Sequence, residues 1–388
     1  MIFNLGLLGF FKYYNFFVSS WVDAFSSLGY DLSNSWSIKV ILPVGISFYT
    51  FQTMSYSLDI YHRKLKPTQD FISFAAFVSF FPQLVAGPIE RASNLLPQIL
   101  SKHKFKYTQA VEGLRLILWG LFKKVVIADN LAPVVNDIFE NYTDYSGGTL
   151  ILGAIFFAFQ IYGDFSGYSD MAIGISKLFG IELMSNFKFP YFSRNIGEFW
   201  RRWHISLSTW FRDYLYIPLG GSRGNQFTAI RNIFIIFLVS GFWHGANWTF
   251  LIWGGIHAFL FVPLYIVGLN RKNTNNVVAD GRIFPNVKEV VQMLITFLLV
   301  TIAWVFFRAE SLSHALDYIG SMSFSSPVYK SQLAYPLALL LLEWPMRRNE
   351  RIPYPRIPSF IFLLVFALII LFFRYLDDGN IEFIYFQF

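Results

Sequence analysis

Ser240-Gly241-Phe242-Trp243-His244-Gly245-Ala246-Asn247-Trp248 joins two apolar runs, 229–243 and 248–268, and sets a histidine between them. Each run approaches the ~20 apolar residues that a helix needs to cross the hydrocarbon core of a bilayer. The pattern recurs along the chain, with apolar stretches at 2–22, 38–58, 71–88, 111–128, 148–164, 165–183, 229–243, 248–268, 289–307, 332–345 and 357–375. Several are short or broken by Gly, Pro or charge, as tilted, partial or re-entrant helices would be. Composition points the same way. Hydrophobic residues make up 55% of the 388 and charged residues 14%, against about 25% charged in ordinary globular proteins. So few charges cannot cover a water-facing surface. The expected fold is an all-α polytopic membrane protein with ten to eleven transmembrane or re-entrant helices, forming a single domain over residues 1–388. No internal repeat or linker marks a second domain.

The chain has no cysteine, which excludes disulfide frameworks, thiolate metal sites and a thiol nucleophile. No spacing of metal ligands is evident either, so no metal is expected. A net charge of +7 belongs, in a membrane protein, to basic cytoplasmic loops, and nucleic acid is not an expected partner. The segments around Arg63–Lys66, Lys102–Lys106, Arg194–Arg223, Arg271-Lys272 and Arg347–Arg356 are basic and are placed inside. The loop from Asp129 to Tyr145 holds four carboxylates and no Lys or Arg, and the tail carries Asp377, Asp378 and Glu382; both are placed outside. Met1 enters an apolar run directly, with no cleavable signal peptide in evidence.

Three segments resist a simple crossing. Residues 71–88 lie between basic loops and end in Pro82, Gly87 and Pro88, which predicts a re-entrant hairpin packed within protein. Residues 148–183 must pass from outside to inside, and one full helix plus a partial one carrying Asp164 and Asp170 would do so. Within the long stretch 184–226, Trp200, Trp203, Leu207, Trp210 and Phe211 recur at helical spacing with arginines between them. That pattern suits a helix at the membrane interface or tucked under the bundle.

Of the six histidines, His62, His103 and His314 read as solvated loop residues, and His257 as either a buried structural group or a functional one. His244 stands apart: small residues flank it, and an ionisable group at membrane depth is a functional candidate because the bilayer penalises it. A neutral imidazole there is suited to act as general base on a hydroxyl. The Gly167-Tyr168-Ser169 triplet raises a serine hydrolase with Ser169 as nucleophile. Asp164 and Asp170 raise a proton path, or a polar contact between helices.

In order along the chain, Pro43–Gln52, Phe81–Ile89, Asp164–Asp170, Phe199–Pro218, Ser240–Trp248, Trp304–Ala309 and Phe383–Phe388 resemble the membrane-bound O-acyltransferase superfamily, in its bacterial branch of polysaccharide O-acetylation and teichoic acid D-alanylation proteins. The resemblance covers most of the chain. It implies helices around a central tunnel, with acyl donor entering from the cytoplasm and acceptor from the opposite face. It implies that His244 is catalytic, and that His204 is its partner, placed on the inner side of a thin barrier. Asp164, Ser169, Asp170 and Trp243 would line the tunnel. The first helices usual in this branch have no counterpart before Asn4–Phe17.

The expectation is an O-acyltransferase of the bacterial cytoplasmic membrane that passes an acetyl group from a cytoplasmic thioester, such as acetyl-coenzyme A, to an envelope or exported polysaccharide. An extracytoplasmic acetyltransferase would be its partner. Arg201, Arg202 and Arg212 either pair with donor phosphates or simply anchor the inner face. Asn247 either polarises the acyl carbonyl or caps the following helix. The alternative from another class is a transporter of a polymer or acyl carrier, with the histidines as a proton relay.

Overall fold

The computed structural model describes residues 1–30, 36–274 and 276–376. The acidic tail at Asp377, Asp378 and Glu382 and the Phe383–Phe388 segment lie outside the described residues. Among the described residues the fold is helical throughout, with no strand.

Helix α1 (Ile2–Leu8) passes through a π-helical turn, Gly9–Tyr13, into α2 (Tyr14–Ser27). Helix α3 (Ile46–Tyr61) begins at Gly45, where φ is +75° and an added Cβ would stand 2.3 Å from the Leu84 carbonyl oxygen. Only glycine satisfies both demands, so the Pro43–Gln52 and Phe81–Ile89 segments are fastened together. Asp70 caps α4 (Phe71–Val78) by accepting from the Ile72 amide. A 3₁₀ turn at Phe81–Gln83 then leads to α5 (Ala92–Leu100). Pro82, Gly87 and Pro88 are buried. Most of the irregular backbone between α4 and α5 is therefore covered by protein, while Ser79 and Phe81 stay exposed.

Helix α6 (Tyr107–Leu121) runs on through a π-helical stretch, Phe122–Ala128, into α7 (Asp129–Glu140). It packs along α8 (Gly147–Leu178). Residues 148–183 thus do not divide into a full helix and a partial one. They belong mostly to a single uninterrupted helix of 32 residues, about 48 Å long, and one crossing meets the inside–outside requirement. Two features keep α8 whole. Glycines let α6 approach: a Cβ on Gly120 would sit 2.4 Å from the Gly167 carbonyl oxygen, and one on Gly113 would sit 2.6 Å from that of Gly174. Small residues of this kind are how helices gain contact inside a bilayer. The carboxylates of α8 are paired within the protein. Lys123 lies 2.7 Å from Asp170 and Lys124 lies 2.8 Å from Asp164.

Within the stretch from 184 to 226, the part around residues 196–211 enters the core, and 217–226 is largely exposed. Two short helices, α9 (Ile196–Arg202) and α10 (Ile205–Phe211), meet at a break, and Trp203, Leu207, Trp210 and Phe211 are all buried. A hairpin of α11 (Gln226–His244) and α12 (Trp248–Ile266) follows, then α13 (Val287–Arg308), α14 (Leu312–Gly320), α15 (Ala334–Met346) and α16 (Ser359–Leu376). Among the described residues four helices, α8, α11, α12 and α13, are long and apolar enough to cross a membrane. The other apolar stretches form shorter or interrupted helices.

Candidate active site

The turn that carries His244 is shaped by close backbone contacts. An added Cβ on Gly241 would lie 2.2 Å from the Phe250 carbonyl oxygen, and one on Gly254 would lie 2.3 Å from that of Phe237. Helix α11 ends at His244, and Asn247 then caps α12 by accepting from the Thr249 amide at 3.0 Å. The Asn247 side-chain amide donates to the Glu310 carbonyl at 3.0 Å. Of its two expected roles, Asn247 therefore has the capping one in this structure.

The carbonyls at the end of α11 are held by a residue that the sequence did not single out. Lys12 Nζ, brought inward by the π-helical turn, donates to the Trp243 carbonyl at 2.8 Å, the His244 carbonyl at 3.0 Å and Ser47 Oγ at 3.3 Å. A cation is favourable at a helix C-terminus. The signal was available: Lys12 is a lone charge within the 2–22 apolar run.

His204 occupies the break between α9 and α10 with φ +42° and ψ +55°, a left-handed conformation uncommon for a residue with a side chain. Its ring packs edge-on against Phe165 at 4.7 Å. The break is supported by Asn186, whose Oδ1 accepts from Ser206 Oγ at 2.9 Å and whose amide donates to Ser169 Oγ at 3.1 Å. Ser169 thus braces the His204 turn. His204 is 1% exposed, and neither ring nitrogen has a hydrogen-bond partner among the described residues. Burial pushes it down to about 3, so its ring is neutral at physiological pH.

The two histidines share one buried aromatic cluster. Their ring centroids are 6.2 Å apart, and Trp243 lies 5.9 Å from His204 and 5.0 Å from His244. Trp253 and Phe307 close on His244 at 5.3 and 5.2 Å. The Trp203–His204 break dips into the core and brings the two rings within one side chain of each other. Asp164 and Asp170 pair with the lysines of the Phe122–Ala128 stretch, where Lys123 also donates to Ser166 Oγ at 2.8 Å.

Below this cluster lies a cavity of about 640 Å³. Seven Lys and Arg side chains, Arg201, Arg202 and Arg212 among them, line it with two carboxylates, Glu198 and Glu350. Basic residues from three separate sequence segments converge there, which agrees with their assignment to one side of the membrane. Arg201 donates to the Asn270 and Lys272 carbonyls at 2.6 and 2.7 Å, and Arg202 pairs with Glu198 at 2.9 Å. Arg212 pairs with Asp213 at 2.7 Å and remains largely exposed. Trp200 and Ile205 form the inner wall. Ile205 is the residue after His204, and Trp200 contacts Trp253 at 5.8 Å. Trp200 and Trp253 in turn connect the wall of the basic cavity to His244, while Ile205 adjoins His204 in the chain.

Comparison with known proteins places this architecture. The chain is 44% identical over 322 residues to the probable alginate O-acetylase of Pseudomonas syringae pathovar tomato, covering 83% of this chain and 59% of that protein. It is 40% identical over 352 residues to the peptidoglycan O-acetyltransferase of Helicobacter pylori, covering 83% of this chain and 63% of that one. A teichoic acid D-alanyltransferase of Streptococcus thermophilus is 30% identical over 248 residues, 60% of this chain and 59% of that one. The chain thus spans about three fifths of the length of the curated relatives it matches. Residues 7–305, which hold both histidines, match the family described as membrane-bound O-acyltransferase, and the chain belongs to that family.

Proposed function

We propose that the protein transfers an acetyl group from a cytoplasmic thioester to a hydroxyl of a cell-envelope or exported polysaccharide, from the bacterial cytoplasmic membrane. The observation that carries this reading is the buried His204–His244 pair, connected through Trp253 and Trp200 to the wall of a basic cavity. Guanidinium groups bind phosphate oxygens in pairs. The arginines of the cavity therefore suit the phosphates of acetyl-coenzyme A or a similar thioester. A second, more apolar cavity of about 230 Å³ shares Ser208, Arg212 and Phe261 with the first and offers room for the donor's less polar parts.

The reaction needs a base for the acceptor hydroxyl and a site that excludes water, since water would compete for the acyl group. His244 supplies the base, at the end of α11 on the side away from the basic segments. His204, neutral and buried, orients the thioester or relays the proton. Lys12 holds the carbonyls of Trp243 and His244 and so steadies the backbone that carries the imidazole. Relatives named for O-acetylation of alginate and of peptidoglycan support acetyl as the group carried. An extracytoplasmic acetyltransferase that completes delivery to the polymer is the expected partner.

The test is a vesicle assay with the purified protein, acetyl-labelled coenzyme A and a polysaccharide acceptor. Ester-linked label should form with the wild type and fall to background with His244→Ala at equal protein level. Movement of the polymer or donor without any ester would replace this reading with the transporter.

A further inference from the structure

Helix α12 carries two buried N–H groups that have no acceptor among the described residues. His257 is fully buried, and Trp200 Nε1 donates to its Nδ1 at 3.3 Å. An indole nitrogen can only donate. Nδ1 is therefore the bare nitrogen, and Nε2 carries the hydrogen. Among the described residues Nε2 has no partner, and neither has Nε1 of Trp253, which is also fully buried. Trp253 and His257 are four residues apart and so share one helix face, with their rings 4.9 Å apart.

Two desolvated donors on one face, left unpaired, weaken a fold unless something else repays them. Their location says what that is. Trp200, on the wall of the basic cavity, touches both rings, at 4.9 Å for His257 and 5.8 Å for Trp253. On the other side Trp253 lies against His244 at 5.3 Å. The pair stands between the donor's entrance and the base.

We propose that Trp253 Nε1–H and His257 Nε2–H bind the carbonyl oxygen of the acyl thioester and stabilise the oxyanion that forms during transfer. The inference rests on the acyltransferase reading above. The acceptor hydroxyl oxygen attacks the thioester carbon as its proton passes to His244, and the carbonyl electron pair moves onto the oxygen held by the two N–H groups. The tetrahedral adduct collapses, the C–S bond breaks, and the thiolate leaves with the proton from His244. One ester and one thiol result from one thioester and one hydroxyl. Preorganised donors of this kind act where charge develops, and the aromatic surroundings keep water from competing for them.

Trp253→Phe keeps the ring and loses the N–H. His257→Leu removes the donor, and His257→Gln restores one. In the vesicle assay, Trp253→Phe and His257→Leu should each lower kcat by about 10²–10³-fold, the usual effect of losing one such donor. KM for acetyl-coenzyme A should stay within about twofold, and His257→Gln should recover part of the rate. A second readout needs no turnover. In a His244→Ala background, isotope-edited infrared spectra of bound carbonyl-labelled acetyl-coenzyme A should show the thioester stretch at lower frequency than when Trp253→Phe is added. Undiminished kcat in both variants, or an unchanged stretch, overturns the inference while leaving the acyltransferase reading intact. No transfer by the wild type overturns both.

Discussion

At the scale of single residues, His204 shows how a strained backbone and a candidate site coincide. The left-handed region is several-fold richer in Asn and His than in most residues with a side chain, and holding a less suited residue there costs about 1–3 kcal/mol. His204→Ala should therefore lower the unfolding stability in detergent by about that amount, and His204→Asn by clearly less, as thermal melts would show. The pH dependence has a definite sign. His204 folds with its value pushed down to about 3, below the free imidazole value near 6.5. The unfolded chain takes up the proton first as pH falls, so this contribution is complete above about pH 6.5 and drains away towards 3. Between pH 7.5 and 5 the wild type should lose more melting temperature than His204→Asn; an equal loss would contradict the neutral, buried assignment.

At the scale of elements, the α6–α8 pair is the clearest test of packing. Gly120→Ala forces a Cβ towards the Gly167 carbonyl oxygen and should cost about 1–3 kcal/mol, as overpacking does. Gly255→Ala, with only Leu238 at 3.9 Å, should cost little. The buried ion pair beside these glycines carries a second expectation. Lys123→Met alone strands Asp170 and should destabilise by about 3–5 kcal/mol, whereas Lys123→Met with Asp170→Leu should regain most of that in the same melts. Much of this scale was legible in the sequence. The apolar runs marked α11, α12 and α13, while α8 read as two pieces, 148–164 and 165–183, and Pro82, Gly87 and Pro88 marked an irregular backbone at the end of 71–88. What stayed hidden depends on contacts between distant segments. No local pattern says that Lys123 and Lys124 meet Asp170 and Asp164, and a short polar run such as 163–170 looks like a break until its partners are known. The Trp203–His204 break was hidden for the same reason, because helical periodicity runs through it. His244 could be picked out alone from its depth and its small neighbours, but Lys12, Trp253 and His257 gain their meaning only from what they touch.

At the scale of the whole molecule, the distribution of charge predicts an orientation. Basic segments converge on one cavity, and Glu140 at the end of α7, Glu310 just after α13 and Asp317 on α14 line another. The absence of cysteine makes the sidedness directly measurable, since each introduced thiol is the sole target. In intact cells an impermeant maleimide should label Asp317→Cys, while Arg348→Cys should react only after the membrane is opened; the reverse pattern would invert the orientation and the direction of transfer. The central claim joins that direction to His244. Its most direct test is base-labile acetate on the envelope polysaccharide of cells lacking this protein, complemented with wild type or with His244→Ala at equal membrane level. The expected result is acetate restored by the wild type and not by the variant. Equal restoration by both would contradict the assignment of His244 as the catalytic base.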